Sequence, residues 1–182
     1  MVRIAGYFYL GVAALACLLN AARGAPLVPL GLGPRLVAGL GIALAAAALT
    51  IAFSRLAERR WAWAQRLTEF FRHKLGPLRG REVAALALAS GVAEELLFRG
   101  ALQPAFADML GGPVPGLIAA TLAFGVLHVG GRALWPWTAF ALVLGAVLGW
   151  LYLYTDSVLP PIVLHVTVNA ANLRRIGRPL ER

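Results

Sequence analysis

Side chains able to do acid–base chemistry are few in this 182-residue chain, and nearly all the strongly polar side chains within its last four apolar runs fall into three short clusters. Glu94 and Glu95 stand side by side in Glu94-Glu95-Leu96-Leu97-Phe98-Arg99. His128 comes four residues after Phe124, and Asn169 comes four residues after His165. One carboxylate, two imidazoles and an amide allow a limited chemistry. A Glu and a His can jointly deprotonate a water for attack on a carbonyl. The other His and the Asn can donate hydrogen bonds to the oxyanion that forms. Glu94, His128 and His165 are also a two-His, one-Glu donor set for a catalytic zinc with an open position. Either route is hydrolysis of an amide.

A structural reading of each cluster stands beside the chemical one. Glu95 and Arg99, at i and i+4, neutralise one another on a helix. That leaves Glu94, turned by about 100° around the axis, without a local partner, a setting that suits a general base. A lone His in a helix is more often a structural hydrogen bonder than a catalyst. Glu94, His128, His165 and Asn169 together, on three separate helices, favour chemistry. Other protease chemistries lack their residues. No His-Glu-x-x-His is present. Ser90 precedes Gly91 but has Leu88 where a Gly-x-Ser-Gly nucleophile needs glycine. Asp108 and Asp156 are expected at helix ends rather than as a buried pair, and Cys17, the one cysteine, is expected to pack.

The elements that position these clusters are membrane spans. The chain is 60% hydrophobic and 14% charged, with a mean hydropathy of +0.75. An average soluble chain is roughly 25% charged and 45–50% apolar. Disorder and a disulfide scaffold are excluded. Apolar runs cover Ile4–Ala22, Leu36–Phe53, Val83–Phe106, Val114–Val129, Ala133–Tyr154 and Ser157–Leu173. A crossing helix needs about 20 apolar residues, so the fourth and sixth runs are short. The runs are apolar all round and do not alternate as barrel strands would. The first run carries Arg3 without a small-residue cleavage site and reads as an anchor. The expected fold is therefore all-α, a polytopic bundle of about six membrane helices plus one interfacial amphipathic helix. The expected organisation is a single membrane domain over 1–182. Residues 1–53 form two helices, 54–81 a basic cytoplasmic linker, 82–173 the catalytic core and 174–182 a basic cytoplasmic tail.

Charge placement gives the orientation. With a cytoplasmic N-terminus, 14 of the 17 Lys and Arg lie on one side, leaving Arg23 and Arg35 opposite and Arg99 within a helix. This is the positive-inside pattern, so the net charge of +9 reflects topology and not nucleic acid. The expectation is a multi-pass protein of the inner (plasma) membrane with both termini cytoplasmic. In the linker, Leu56, Trp63, Leu67, Phe70, Phe71 and Leu75 recur near helical spacing among arginines. Such a helix lies on an anionic leaflet or, alternatively, gates substrate. His73 in this run is expected to be solvated.

The three clusters, Glu94-Glu95-x-x-x-Arg99, Phe124-x-x-x-His128 and His165-x-x-x-Asn169, occur in the order seen in a known family. They resemble the CAAX protease and bacteriocin-processing intramembrane endopeptidases, of the Ras-converting CAAX endopeptidase type. The resemblance spans about residues 82–173. It implies a glutamate-dependent intramembrane endopeptidase that cuts a membrane-anchored protein or peptide. It implies Glu94 and His128 as the pair activating water, and His165 with Asn169 as the oxyanion site. Glu95, Arg99 and Phe124 would support that site. No cofactor is expected, the alternative being one zinc ion held by Glu94, His128 and His165. Small bacterial members are similar to proteases that remove C-terminal sorting anchors, or that act in peptide maturation and self-immunity. Two competing readings use the same cavity without proteolysis: a membrane scaffold or immunity protein, and a small transporter or proton relay. Buried Glu and His also serve pumps, but no inverted repeat is evident.

Overall fold

The computed structural model describes residues 2–178. Eight α-helices follow one another: α1 Val2–Ala22, α2 Leu36–Arg60, α3 Ala62–Leu75, α4 Gly80–Glu95, α5 Gln103–Leu110, α6 Pro113–Val126, α7 Trp135–Thr155 and α8 Leu159–Ile176. A π-helical segment, Leu96–Leu102, joins α4 to α5, and a short 3₁₀ turn, Arg132–Leu134, precedes α7. Among the described residues the extended pairing is limited to one isolated bridge, Leu30 to Ser157. The fold is all-helical, as expected.

Local sequence accounts for the boundaries. Pro113 opens α6, Pro136 lies in the first turn of α7, and Pro160 and Pro161 lie in that of α8, where a missing N–H costs nothing. Gly111 ends α5 at φ 78°, and Asp156 ends α7 at φ 53°. At Trp61 the backbone becomes extended and separates α2 from α3.

Among the described residues three helices are long and apolar enough to cross a membrane: Val2–Ala22, Leu36–Arg60 and the Arg132–Thr155 stretch. Large apolar side chains stand exposed on their outer faces, among them Ile4, Leu18, Val37, Leu49 and Val143. That inversion of the soluble pattern is what lipid contact produces. The second expected span stops at Phe53, whereas α2 continues to Arg60 as one helix. The reason lies in α8, where Arg175 holds both the Glu58 carboxylate (2.6 Å) and the Ser54 carbonyl (3.1 Å) and ties down the extra turns. The amphipathic element therefore shrinks from 54–81 to α3, with Ala64 and Thr68 buried and Arg66, His73 and Lys74 exposed. The third expected run, Val83–Phe106, becomes the longer succession Gly80–Leu110 of α4, π segment and α5. Residues 179–182 of the expected basic tail lie outside the described residues.

Small residues bring the helices together. Membrane helices gain little from the hydrophobic effect against lipid and associate by close packing, which favours Gly and Ala at contacts. Gly39, Ala43 and Ala47 recur every four residues on the buried face of α2. In α4, a methyl on Gly91 would come within 3.0 Å of the Val166 backbone nitrogen of α8. This approach of α4 to α8 sets the distance between the first and third clusters. At the far end of the bundle, Arg23 after α1 pairs with Asp108 of α5 at 2.6 Å.

Candidate active site

The α4 end, α8 and the turn after α6 carry the three clusters. Glu95 closes α4, and Arg99 sits inside the π-helical segment. Arg99 is fully buried, as is Glu95. Its Nη1 donates to Glu95 Oε1 at 2.9 Å and its Nη2 to the Gly145 carbonyl of α7 at 3.0 Å. The guanidinium carbon lies 4.6 Å from the Phe124 ring centroid, a cation–π contact between two buried side chains. Gly145 is required here, because an added methyl would stand 3.3 Å from Arg99 Nη2. One turn on, Gln103 donates to the Gly149 carbonyl at 3.0 Å. A π segment widens the helix by a residue, and Pro104, which has no N–H to return to Gly100, sits just after it.

Glu95 does more than balance Arg99. Its Oε1 also lies 2.6 Å from His165 Nδ1. A carboxylate only accepts, so Nδ1 carries the proton and donates, and the second nitrogen, Nε2, is turned outward. That nitrogen lies 3.9 Å from Glu94 Oε2. Glu94 Oε2 is buried and has no hydrogen-bond partner; the adjacent Glu95 carboxylate is engaged by two donors at its Oε1, its Oε2 being likewise unpartnered. The gap is too long for a hydrogen bond and short enough for one water to touch both atoms.

Asn169 lies one turn beyond His165 on α8, and its amide donates to Ser90 Oγ at 2.9 Å. Ser90 is one turn before Glu94 on α4, so Asn169 and Glu94 share a face of the α4–α8 contact. The Tyr9 hydroxyl of α1 faces both Glu94 and Ser90.

His128 departs from the expectation of a position within a span. α6 ends at Val126, and His128 lies in the turn that follows, half-buried. The helix stops early because Gly130 and Gly131, the latter at φ 89°, lead the chain into the next element. His128 Nδ1 lies 2.7 Å from the Phe124 carbonyl and therefore donates to it, leaving Nε2 free. Its ring packs on Phe124 (4.4 Å between centroids) and Trp137 (5.4 Å). Phe124 also meets the His165 ring edge-on at 6.0 Å. The aromatic ring of the second cluster thus touches both imidazoles and the guanidinium.

The three clusters therefore meet around Phe124, with Glu94 next to His165 and His128 at the margin. Tyr9 and Ser90 join the site without any sequence motif to flag them. Tyr9 sits in an apolar helix that looks like an anchor, and Ser90 drew notice only as a failed nucleophile. The zinc donor set, Glu94, His128 and His165, does not gather. Among the described residues no three His, Cys, Asp or Glu side chains are disposed to hold a metal ion.

Comparison with known proteins gives one finding. The model of the Type II CAAX prenyl endopeptidase Rce1-like family matches residues 81–171. No curated protein and no solved structure matches the chain. The matched half contains the Glu94–Arg99 segment, Phe124, His128, His165 and Asn169, together with the helices α4 to α8 that hold them, and so the chain belongs to the Rce1-like family of type II CAAX prenyl endopeptidases, membrane proteins that act as intramembrane endopeptidases.

Proposed function

We propose that this protein hydrolyses a peptide bond in a membrane-anchored protein or peptide, with Glu94 as general base. The observation that carries the reading is the placement of Glu94 Oε2, buried, unpartnered and 3.9 Å from His165 Nε2, whereas Glu95 is committed through its Oε1 to Arg99 and His165. A water in that gap gives one proton to Glu94 as its oxygen attacks the carbonyl carbon. The carbonyl π electrons move to oxygen, and the Asn169 amide stabilises the oxyanion. When the C–N bond breaks, the proton held by Glu94 goes to the departing amine. The sequence reading pairs Glu94 with His128 for the water step. The proximity of His165 to Glu94 favours His165 in that role, leaving the Asn169 amide on the oxyanion side. Glu95, Arg99 and Phe124 orient the pair.

The substrate in this reading carries a lipid or hydrophobic anchor that delivers it laterally to the bundle. Removal of C-terminal sorting anchors from exported proteins, or maturation of a small peptide, suits a chain of this size. The chain sits in the inner membrane, and its arginine-rich helix ends support cytoplasmic termini. Mass spectrometry of membrane and secreted protein termini, in cells carrying wild type or Glu94→Gln at equal abundance, tests the reading. Loss of particular new termini in the variant supports proteolysis and names candidate substrates. Unchanged termini, with a phenotype from deleting the whole protein, would overturn it in favour of a scaffold. Metal analysis of the active purified protein is expected to show far less than one zinc per chain. A tightly bound zinc whose removal abolishes activity would replace the general-base mechanism.

A further inference from the structure

A second concavity lies away from the three clusters, where α2, α4 and α8 come together at their arginine-rich ends. It encloses about 700 Å³. Five arginines line it: Arg55 and Arg59 from α2, and Arg174, Arg175 and Arg178 from the end of α8 and just beyond. Glu58 is the one acidic side chain in the lining, and it is engaged by Arg175 at 2.6 Å. Arg55, Arg59, Arg174 and Arg178 take part in no ion pair among the described residues. Four unneutralised guanidiniums around one opening repel one another, an arrangement that an anion would relieve. Gly80, the first residue of α4, also lines the opening, and an added methyl there would meet open space.

The depth order of the lining selects the kind of anion. One helical turn inward from Arg55 is Ile51, one turn inward from Arg174 is Ala170, and one turn inward from Gly80 is Ala84. The site is cationic at the membrane-surface end and apolar immediately below. A small inorganic ion would use only the upper part. A phospholipid would use both, with its phosphate among the arginines and its glycerol and upper acyl segments against Ile51 and Ala84. We propose that this concavity is a binding site for the phosphate-bearing headgroup of an anionic phospholipid, seated between α2, α4 and α8. Basic pockets between helices on the cytoplasmic side recognise lipid headgroups by this chemistry. The lipid would tie α2, which carries none of the three clusters, to the two helices that hold Glu94 and His165.

The test uses the purified full chain in detergent, with phosphatidylglycerol, phosphatidylcholine of the same acyl chains, and inorganic phosphate as three probes. Native mass spectrometry reads retention and a thermal unfolding scan reads stabilisation. Wild type is compared with Arg55→Gln/Arg174→Gln, and with Arg66→Gln/Lys74→Gln on α3, which removes the same charge from exposed positions outside the concavity. The expected result is retention and stabilisation by phosphatidylglycerol but not phosphatidylcholine. The concavity variant should weaken it on the order of tenfold or more, and the α3 variant little. Equal weakening in both variants would mean diffuse attraction and overturn the site. Inorganic phosphate displacing the lipid at equal concentration would make this a free-phosphate site and overturn the lipid assignment. If the concavity variant fails to accumulate, a photoactivatable phosphatidylglycerol on wild type decides. Cross-links on peptides containing Ile51 or Ala84 support the proposal, and cross-links confined to other helices reject it. None of these readouts depends on proteolysis, so failure here leaves the reading of the Glu94 site untouched.

Discussion

Two faces of the same short stretch of helix, from the end of α4 through the π segment to Gln103, do different work. On one face Glu95, Arg99 and Gln103 are buried; Arg99 donates to Glu95 at 2.9 Å and to the Gly145 carbonyl of α7 at 3.0 Å, and Gln103 to the Gly149 carbonyl at 3.0 Å. On the other face Glu94 is largely buried with an unpartnered oxygen, near His165, Ser90 and Tyr9. The first face uses charge to hold helices at a fixed distance in a medium where an unpaired ion is expensive. Both faces leave buried polar atoms unpaired (Glu95 Oε2, Arg99 Nε and Gln103 Oε1 on the first), but on the second the open oxygen, Glu94 Oε2, stands 3.9 Å from an imidazole nitrogen. Between them stands His165, whose Nδ1 belongs to the first face and whose Nε2 belongs to the second. The difference teaches that adjacency in sequence says nothing about role; the partners across the helix contact decide it.

The comparison is most sharply broken at Glu94. Glu94→Gln keeps the shape and removes the base, and cleavage should fall by about 10²–10⁴-fold while membrane accumulation stays at the wild-type level. Full activity in that variant, measured as release of new termini, would remove Glu94 from the mechanism. On the other face, Glu95→Ala and Arg99→Ala each strand a buried opposite charge and should cost about 3–5 kcal/mol, with steady-state abundance falling along with activity. Normal abundance of Arg99→Ala with no activity would assign Arg99 to the chemistry. The helix approach itself can be probed at Gly91→Ala, where the added methyl meets the backbone of Val166. A displacement of α8 should cost about 1–3 kcal/mol in a thermal unfolding scan and reduce cleavage, because His165 and Asn169 ride on that helix. The smallest effect is expected for Tyr9→Phe, which removes one hydroxyl from the open face. Cleavage should drop by less than about tenfold with abundance unchanged. A loss as large as that of Glu94→Gln would move Tyr9 from a positioning contact to a participant in proton transfer.

Much of the helical architecture was legible from the residue pattern. Apolar runs with Pro and Gly punctuation located the helices, and the three motifs by themselves carried the resemblance to a protease family. The boundaries that were misplaced share one cause. α2 runs past Phe53 through a charged stretch because Arg175, more than a hundred residues away, holds Glu58 and Ser54. His128 falls outside α6 because Gly130 and Gly131 turn the chain directly after it. Local hydropathy registers neither a distant ion pair nor the backbone freedom of a glycine pair.

Residue types and their spacing were enough to specify a membrane-embedded helical protein, the Glu95–Arg99 pair and the inventory of groups available for chemistry. Those properties depend on neighbours within one or two helical turns, which the chain order contains. The proximity of His165 to Glu94, the double engagement of Glu95, the hydrogen bond from Asn169 to Ser90 and the approach of Tyr9 from a helix without motifs arise between helices. So does the concavity where arginines from two distant segments converge. Each depends on how closely small residues let two helices pack and on how each helix is rotated about its axis, quantities that only the assembled bundle specifies.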